Sequence, residues 1–161
     1  MSYASGTNVS EERSRAEIQR ILGRFDADQF GFMTDRSTGF AKLMFRYKAA
    51  SFIFELPLAT RDDDKLRFTP RGKRRTDRQA GELAAVENRR RWRSLCLAIK
   101  AMLVGVEDGI FQFGEVFMPY MVWGDGRTTA QTLLPAVEQA LQAGRGLPPL
   151  QTVGKLLESK S

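Results

Sequence analysis

Residues 40–56 read FAKLMFRYKAASFIFEL. Ala41, Leu43, Phe45 and Tyr47 alternate with Phe40, Lys42, Met44 and Arg46; beyond Lys48, Phe52, Phe54 and Leu56 alternate with Ser51, Ile53 and Glu55. A period of two sends successive side chains to opposite faces of a pleated strand, so the run reads as two antiparallel strands sharing an apolar face. Pro57 brings no N–H to a ladder and closes the second of them. Upstream, Phe30 and Phe32 alternate with Gly31 and Met33, and Asp35–Gly39, DRSTG, supplies a turn. The three segments predict an antiparallel meander with one apolar face. Leu66–Phe68 is expected to add a short edge strand.

Helices flank this meander. Asn8 or Ser10 can cap a helix whose first turn carries Glu11 and Glu12. Ile18, Ile21, Leu22 and Phe25 then lie on one helical face, which predicts a helix over 10–24. Residues 62–76 are the most polar of the chain and read as a mobile loop. After them, Trp92, Leu95, Cys96, Ile99, Met102, Leu103 and Val106 form one stripe of a long helix. Arg89, Arg93 and Lys100 fall on one flank of that stripe, and Arg90 points away. Gly105 and Gly109 weaken the helix end. Phe111 to Met121 reads as a shorter helix that Pro119 kinks or stops. WGDGRT (Trp123–Thr128) is a turn, and Thr128 or Thr129 can cap a last helix ending at Gly144. The fold class that results is α+β. One domain over 1–150 holds an N-terminal helix, a three-stranded antiparallel meander, a long helix packed on the sheet and two further C-terminal helices. A loosely ordered tail follows at 151–161.

A chain of 161 residues suffices for a single buried core. Histidine is absent and Cys96 is the one cysteine. That removes histidine-dependent nucleophile systems, histidine and four-cysteine zinc sites, and any disulfide framework. Catalysis would be left to carboxylates, lysine or an oxygen-ligated cation. No signal-peptide pattern opens the chain, and Lys100, Glu107 and Asp108 interrupt the apolar runs, so neither export nor a membrane span is expected. The expected location is the cytoplasm, with no cofactor and no metal.

The formal charge is +6, and its distribution matters more than its size. Arg61 to Arg93 holds 12 basic and 6 acidic side chains; the other 13 basic and 13 acidic ones cancel. The whole surplus therefore sits in one stretch, densest at RGKRR (Arg71–Arg75) and RRRWR (Arg89–Arg93). Arginine outnumbers lysine 18 to 7, and guanidinium suits bidentate phosphate contact. Arg71, Lys73, Arg74, Arg75, Arg78, Arg89, Arg90 and Arg93 are accordingly the candidate nucleic-acid-binding residues. With about 5 phosphates neutralised, log affinity would fall against log salt with a slope of roughly −4. The competing reading is a solvated face, with Asp62, Asp63 and Asp64 neutralising their basic neighbours.

Other signatures fail on their residues. A magnesium nuclease built on adjacent strands needs Glu-x-Lys, and Pro57 stands where the lysine would be. Asp62, Asp63 and Asp64 are consecutive and point in different directions. Gly72-Lys73 lacks the upstream glycine and following Ser/Thr of a phosphate loop. Double-stranded-RNA-binding domains share the α-β-β-β-α order, but they lack the two C-terminal helices. Phe40, Lys42, Met44 and Arg46 mix aromatic and basic groups as single-strand binders do. The apolar C-terminal helices are expected to cover that face instead.

Tyr3, Ala4, Gly6 and Thr7 precede Arg13, Ser14, Arg15, Glu17 and Ile18. LPL with RDD (Leu56–Asp63), RRRWRSL (Arg89–Leu95) and DGRT (Asp125–Thr128) follow. In these motifs the chain, to about Leu150, resembles a group of small proteins encoded by tailed bacteriophages and prophages. The resemblance implies a viral protein of the bacterial cytoplasm, where replication, recombination and evasion of host defence are the usual duties; it assigns no residue roles. Nucleic acid, DNA rather than RNA, is the expected partner, bound largely without regard to sequence. The alternative is an inhibitor or modulator of a host bacterial enzyme or defence system, acting through the aromatic residues of Phe111–Trp123.

Overall fold

The structure, a computed structural model, describes residues 8–35, 37–144 and 146. The chain runs α1 (Glu11–Gly23), β1 (Ala27–Asp35), β2 (Phe40–Tyr47), β3 (Ala50–Pro57), a single turn α2 (Asp64–Arg67), α3 (Asp77–Glu107), α4 (Phe113–Phe117), a 3-10 turn over Met118–Tyr120, and α5 (Thr129–Gln142). This is the α+β arrangement anticipated above: helix, three-stranded sheet, long helix, then further helices. The expected tail at 151–161 and Tyr3, Ala4, Gly6 and Thr7 lie outside the described residues.

Ser10, not Asn8, caps α1: its hydroxyl accepts from the Arg13 N–H at 3.1 Å. The sheet order is β1-β2-β3, both pairs antiparallel. Phe32, Leu43 and Phe54 stand opposite one another, as do Thr34, Ala41 and Leu56, so one face collects the apolar series. β1 departs from simple alternation through a bulge between Asp28 and Gly31, where Gln29 takes a φ of +52°.

That apolar face carries the core. Ile18, Ile21 and Leu22 from α1, Trp92, Cys96, Ile99 and Leu103 from α3, and Phe113 and Phe117 from α4 bury against Leu43, Phe45, Phe52 and Phe54. The long-helix stripe is therefore a core stripe, with Leu95, Met102 and Val106 half-buried beside it. Phe117 meets Phe45, Phe52 and Phe54 edge-on at centroid separations of 6.1, 6.5 and 6.1 Å. α4 is shorter than its apolar run suggested. Pro119 sits in the 3-10 turn, and its missing N–H ends the α-helical ladder there.

Two expectations need correcting. Leu66–Phe68 does not form an edge strand: Asp64–Arg67 makes a helical turn, and Phe68 bridges to Arg74 within the following loop. Nor do the C-terminal helices cover the whole second face of the sheet. α4 packs on the core face, and α5, capped by Thr128, reaches β3 through Gln131, whose amide donates to Glu55 at 3.3 Å. Met33 and Phe40 on that second face stay exposed. Among the described residues no helix is long and apolar enough to cross a membrane.

Candidate nucleic-acid interface

The polar segment before α3 is a hydrogen-bonded hairpin. The Thr69 N–H donates to the Lys73 carbonyl at 2.8 Å, the Gly72 N–H to the Thr69 carbonyl at 2.8 Å, and the Lys73 N–H to the Thr69 hydroxyl at 3.0 Å. Gly72 supplies the positive φ, +78°, that the reversal needs. Arg75 closes the base: its N–H donates to the Arg67 carbonyl, and its guanidinium donates to the carbonyls of Leu66, at 3.0 Å, and Phe68. Thr76 then starts α3 with a reciprocal cap, its hydroxyl accepting from the Gln79 N–H at 3.2 Å and its own N–H donating to the Gln79 side chain at 3.1 Å.

The carboxylates beside this hairpin are already engaged. Arg67 binds Asp77 and Asp62, and Arg61 lies 3.6 Å from Asp77. The Arg67 hydrogen bond is the main reason the Asp77 carboxyl sits below its usual range, and Asp77 in turn raises Arg67. Asp63 accepts from Thr60, at 3.2 Å from the N–H and 3.1 Å from the hydroxyl. Asp62 and Asp63 thus turn to separate tasks. Among the described residues no three acidic, cysteine or histidine side chains are grouped to hold a metal ion.

The eight candidate cations fall into distinct groups. Arg71, Lys73 and Arg74 stand on the hairpin, exposed, with no ion pair or side-chain hydrogen bond among the described residues. Arg74 is near enough to Asp77 to help hold its carboxyl down. Arg78 follows on the first turn of α3, paired with Glu82 at 2.9 Å while 86% exposed, a contact that water and salt readily replace. Arg75 is spent on backbone carbonyls. Arg90 is bound to Glu87, whose carboxyl is lowered to about 2 chiefly by that hydrogen bond and further by Arg91. Arg93 is bound to Glu17 on α1. Arg89 forms no ion pair among the described residues, but it stands 12 positions after Asp77, about 18 Å along the helix at 1.5 Å per residue. Arg71, Lys73 and Arg74 therefore share the hairpin, with Arg78 at the start of α3, while Arg89, Arg90 and Arg93 lie three turns or more further along that helix.

Sequence reasoning missed two features. One is Glu17, which lies within the α1 motif and answers the basic flank of α3; Arg93 first and Lys100 after it lower its carboxyl. The other is a groove of about 540 Å³ between the hairpin and α3, rimmed by Lys73 and Arg74 and floored by Leu83 and Val86. Both apolar residues are exposed, Leu83 to 36% and Val86 to 47%. A helical wheel held the signal: at 100° per residue, Leu83 lies about 180° from Trp92, off the core stripe.

The remaining candidates are quieter. On the second sheet face Lys42 pairs with Glu55 at 3.0 Å and Arg46 with Asp28 at 3.2 Å, so its cations are neutralised. Within Phe111–Trp123, Phe113 and Phe117 are buried, Val116, Tyr120 and Met121 half-buried, and Phe111, Met118 and Trp123 exposed. Burial raises the Cys96 thiol and keeps it from acting as a nucleophile. No family model, curated protein or solved structure matches this chain.

Proposed function

We propose that the protein binds nucleic acid through the hairpin, with Arg71, Lys73 and Arg74 as the primary phosphate contacts and Arg78 beside them. One observation carries this reading: among the described residues the three hairpin cations have no ion-pair partner, while Arg67, Arg75, Arg90 and Arg93 are bound internally. A cluster of unanswered cations on a protruding turn is attractive to a polyanion, and contacts to phosphate carry little sequence information. The resemblance to phage proteins makes DNA the expected polymer and replication or recombination the expected setting.

The test is an anisotropy titration of labelled oligonucleotides across a salt series. Three phosphates neutralised predict a slope of about −3 on duplex DNA, shallower than eight candidates in one patch would give. Replacing Arg71, Lys73 and Arg74 together by glutamine should bring the slope close to zero. Arg90→Gln should leave it unchanged. A triple variant that keeps the wild-type slope would rule the hairpin out.

A second reading, a protein-binding modulator of a host enzyme, is favoured by one feature. Ile110, 67% exposed, and Phe111 follow α3 next to the exposed Val104, with the Phe111 ring seated over Gly105. The burial of Phe113 and Phe117 leaves it the smaller claim.

A further inference from the structure

Resting on the reading of the hairpin as a phosphate-contacting site, we infer that the groove between the hairpin and α3 takes a single-stranded oligonucleotide, its phosphates on Arg71, Lys73 and Arg74 and an unstacked base against Leu83 and Val86. The argument is one of matching chemistry. The groove has cations on its rim and two exposed aliphatic side chains on its floor. At about 540 Å³ it falls in the size range of sites that enclose a small organic group. In a duplex the apolar faces of the bases are stacked out of reach, whereas a single strand can splay a base and offer that face. Leu83 and Val86 then lose water and gain dispersion contacts that a phosphate could not give them.

The charge layout points the same way. A duplex presents closely spaced phosphates along a broad surface and is held by cations spread to match. Among the described residues, the cations near the groove with neither an ion pair nor a side-chain hydrogen bond to a carbonyl lie on the hairpin, at Arg71, Lys73 and Arg74, and Arg89 stands far up α3. The groove lining carries one carboxylate, Glu82, against the cations Lys73, Arg74 and Arg75, so its charge balance still favours an anionic strand. The hairpin and the start of α3 are braced by Arg75 and by the Thr76 cap, which fixes the rim relative to the floor.

The experiment compares labelled oligothymidylate with a duplex of equal length, using the full chain. Oligothymidylate should bind about tenfold more tightly at the same salt. Leu83→Ser with Val86→Ser should weaken that binding about tenfold while leaving the salt slope unchanged, because no phosphate contact is removed. Both positions are exposed, so the variant should keep its circular dichroism spectrum; the milder Leu83→Ala with Val86→Ala should show the same pattern at smaller size. Oligothymidylate carrying 5-bromouracil should photo-crosslink within residues 69–86. Equal or tighter duplex binding, or wild-type affinity in the double serine variant, overturns the groove inference and leaves the hairpin reading standing. Absence of binding to either polymer overturns both.

Discussion

Arg93 on α3 donates to Glu17 on α1 at 2.5 Å, across 76 positions of sequence. Two residues earlier on α1, the guanidinium of Arg15 lies 4.4 Å from the ring of Trp92, the residue next to Arg93. Ser14 and Ile18 are buried in the same stretch. The Arg-Ser-Arg-x-Glu-Ile motif and the RRRWR run, which look like surface charge in the sequence, meet as the two halves of a helix–helix clamp.

Removing either half of that pair should therefore cost stability and not nucleic-acid affinity. Glu17→Gln or Arg93→Met should each lower stability by about 1 kcal/mol, since both groups are mostly covered yet not sealed from water. For a chain of this size, that is a fall in melting temperature of about 2–4 °C. The double variant should lose little more than either single one. Fully additive losses, measured by urea unfolding, would mean that the pair is not coupled.

The two glycines within α3 should respond oppositely to alanine. Gly81 has open space where a Cβ would go, so Gly81→Ala should stabilise by about 1 kcal/mol through helix propensity and a narrower unfolded ensemble. At Gly105 a Cβ would come within 2.6 Å of the Phe111 ring, whose residue is also held by its N–H to the Gly105 carbonyl at 3.1 Å. Gly105→Ala alone should gain nothing or lose stability. In a Phe111→Ala background it should recover roughly 1 kcal/mol. Thermal melts of the three variants decide this.

Acid should weaken the fold in a defined window. Glu87 titrates at about 2 in the folded chain, against 4.5 without its partners, because Arg90 and then Arg91 hold its charged form. A depressed folded value means that the unfolded chain binds the proton more readily. The stabilisation is therefore complete above about 4.5 and disappears as pH falls toward about 2. Glu17 and Asp77 are lowered in the same direction. Urea midpoints followed down this range should drop steadily, and Glu87→Gln should make the drop shallower. A midpoint that is flat through the window would contradict the ion-pair geometry.

Arg75 should act through the shape of the hairpin and not through phosphate. Arg75→Gln removes the donor to the Leu66 and Phe68 carbonyls. Trypsin should then cleave after Arg71, Lys73 or Arg74 several times faster, while the melting temperature changes little, because the hairpin lies outside the core. Nucleic-acid binding should weaken with it. An unchanged digestion rate would show that the backbone bonds alone hold the loop.

The sequence by itself determined what depends on local periodicity: the alternation of Phe40–Leu56, the stripe from Trp92 to Val106, helix starts within a residue or two of Ser10 and Thr128, and a break at Pro119. Each of these is set within a few residues, where backbone geometry repeats at 2.0 or 3.6 positions. The position of the charge surplus along the chain was equally plain. Which of those charges remain unanswered was decided only by tertiary structure. Glu17 reaches Arg93 because α1 and α3 pack side by side, and Arg75 turns inward because the hairpin folds back over Leu66 and Phe68. An ion pair depends on distance through space, and the spacing of residues along the chain does not reveal that distance until the elements are packed.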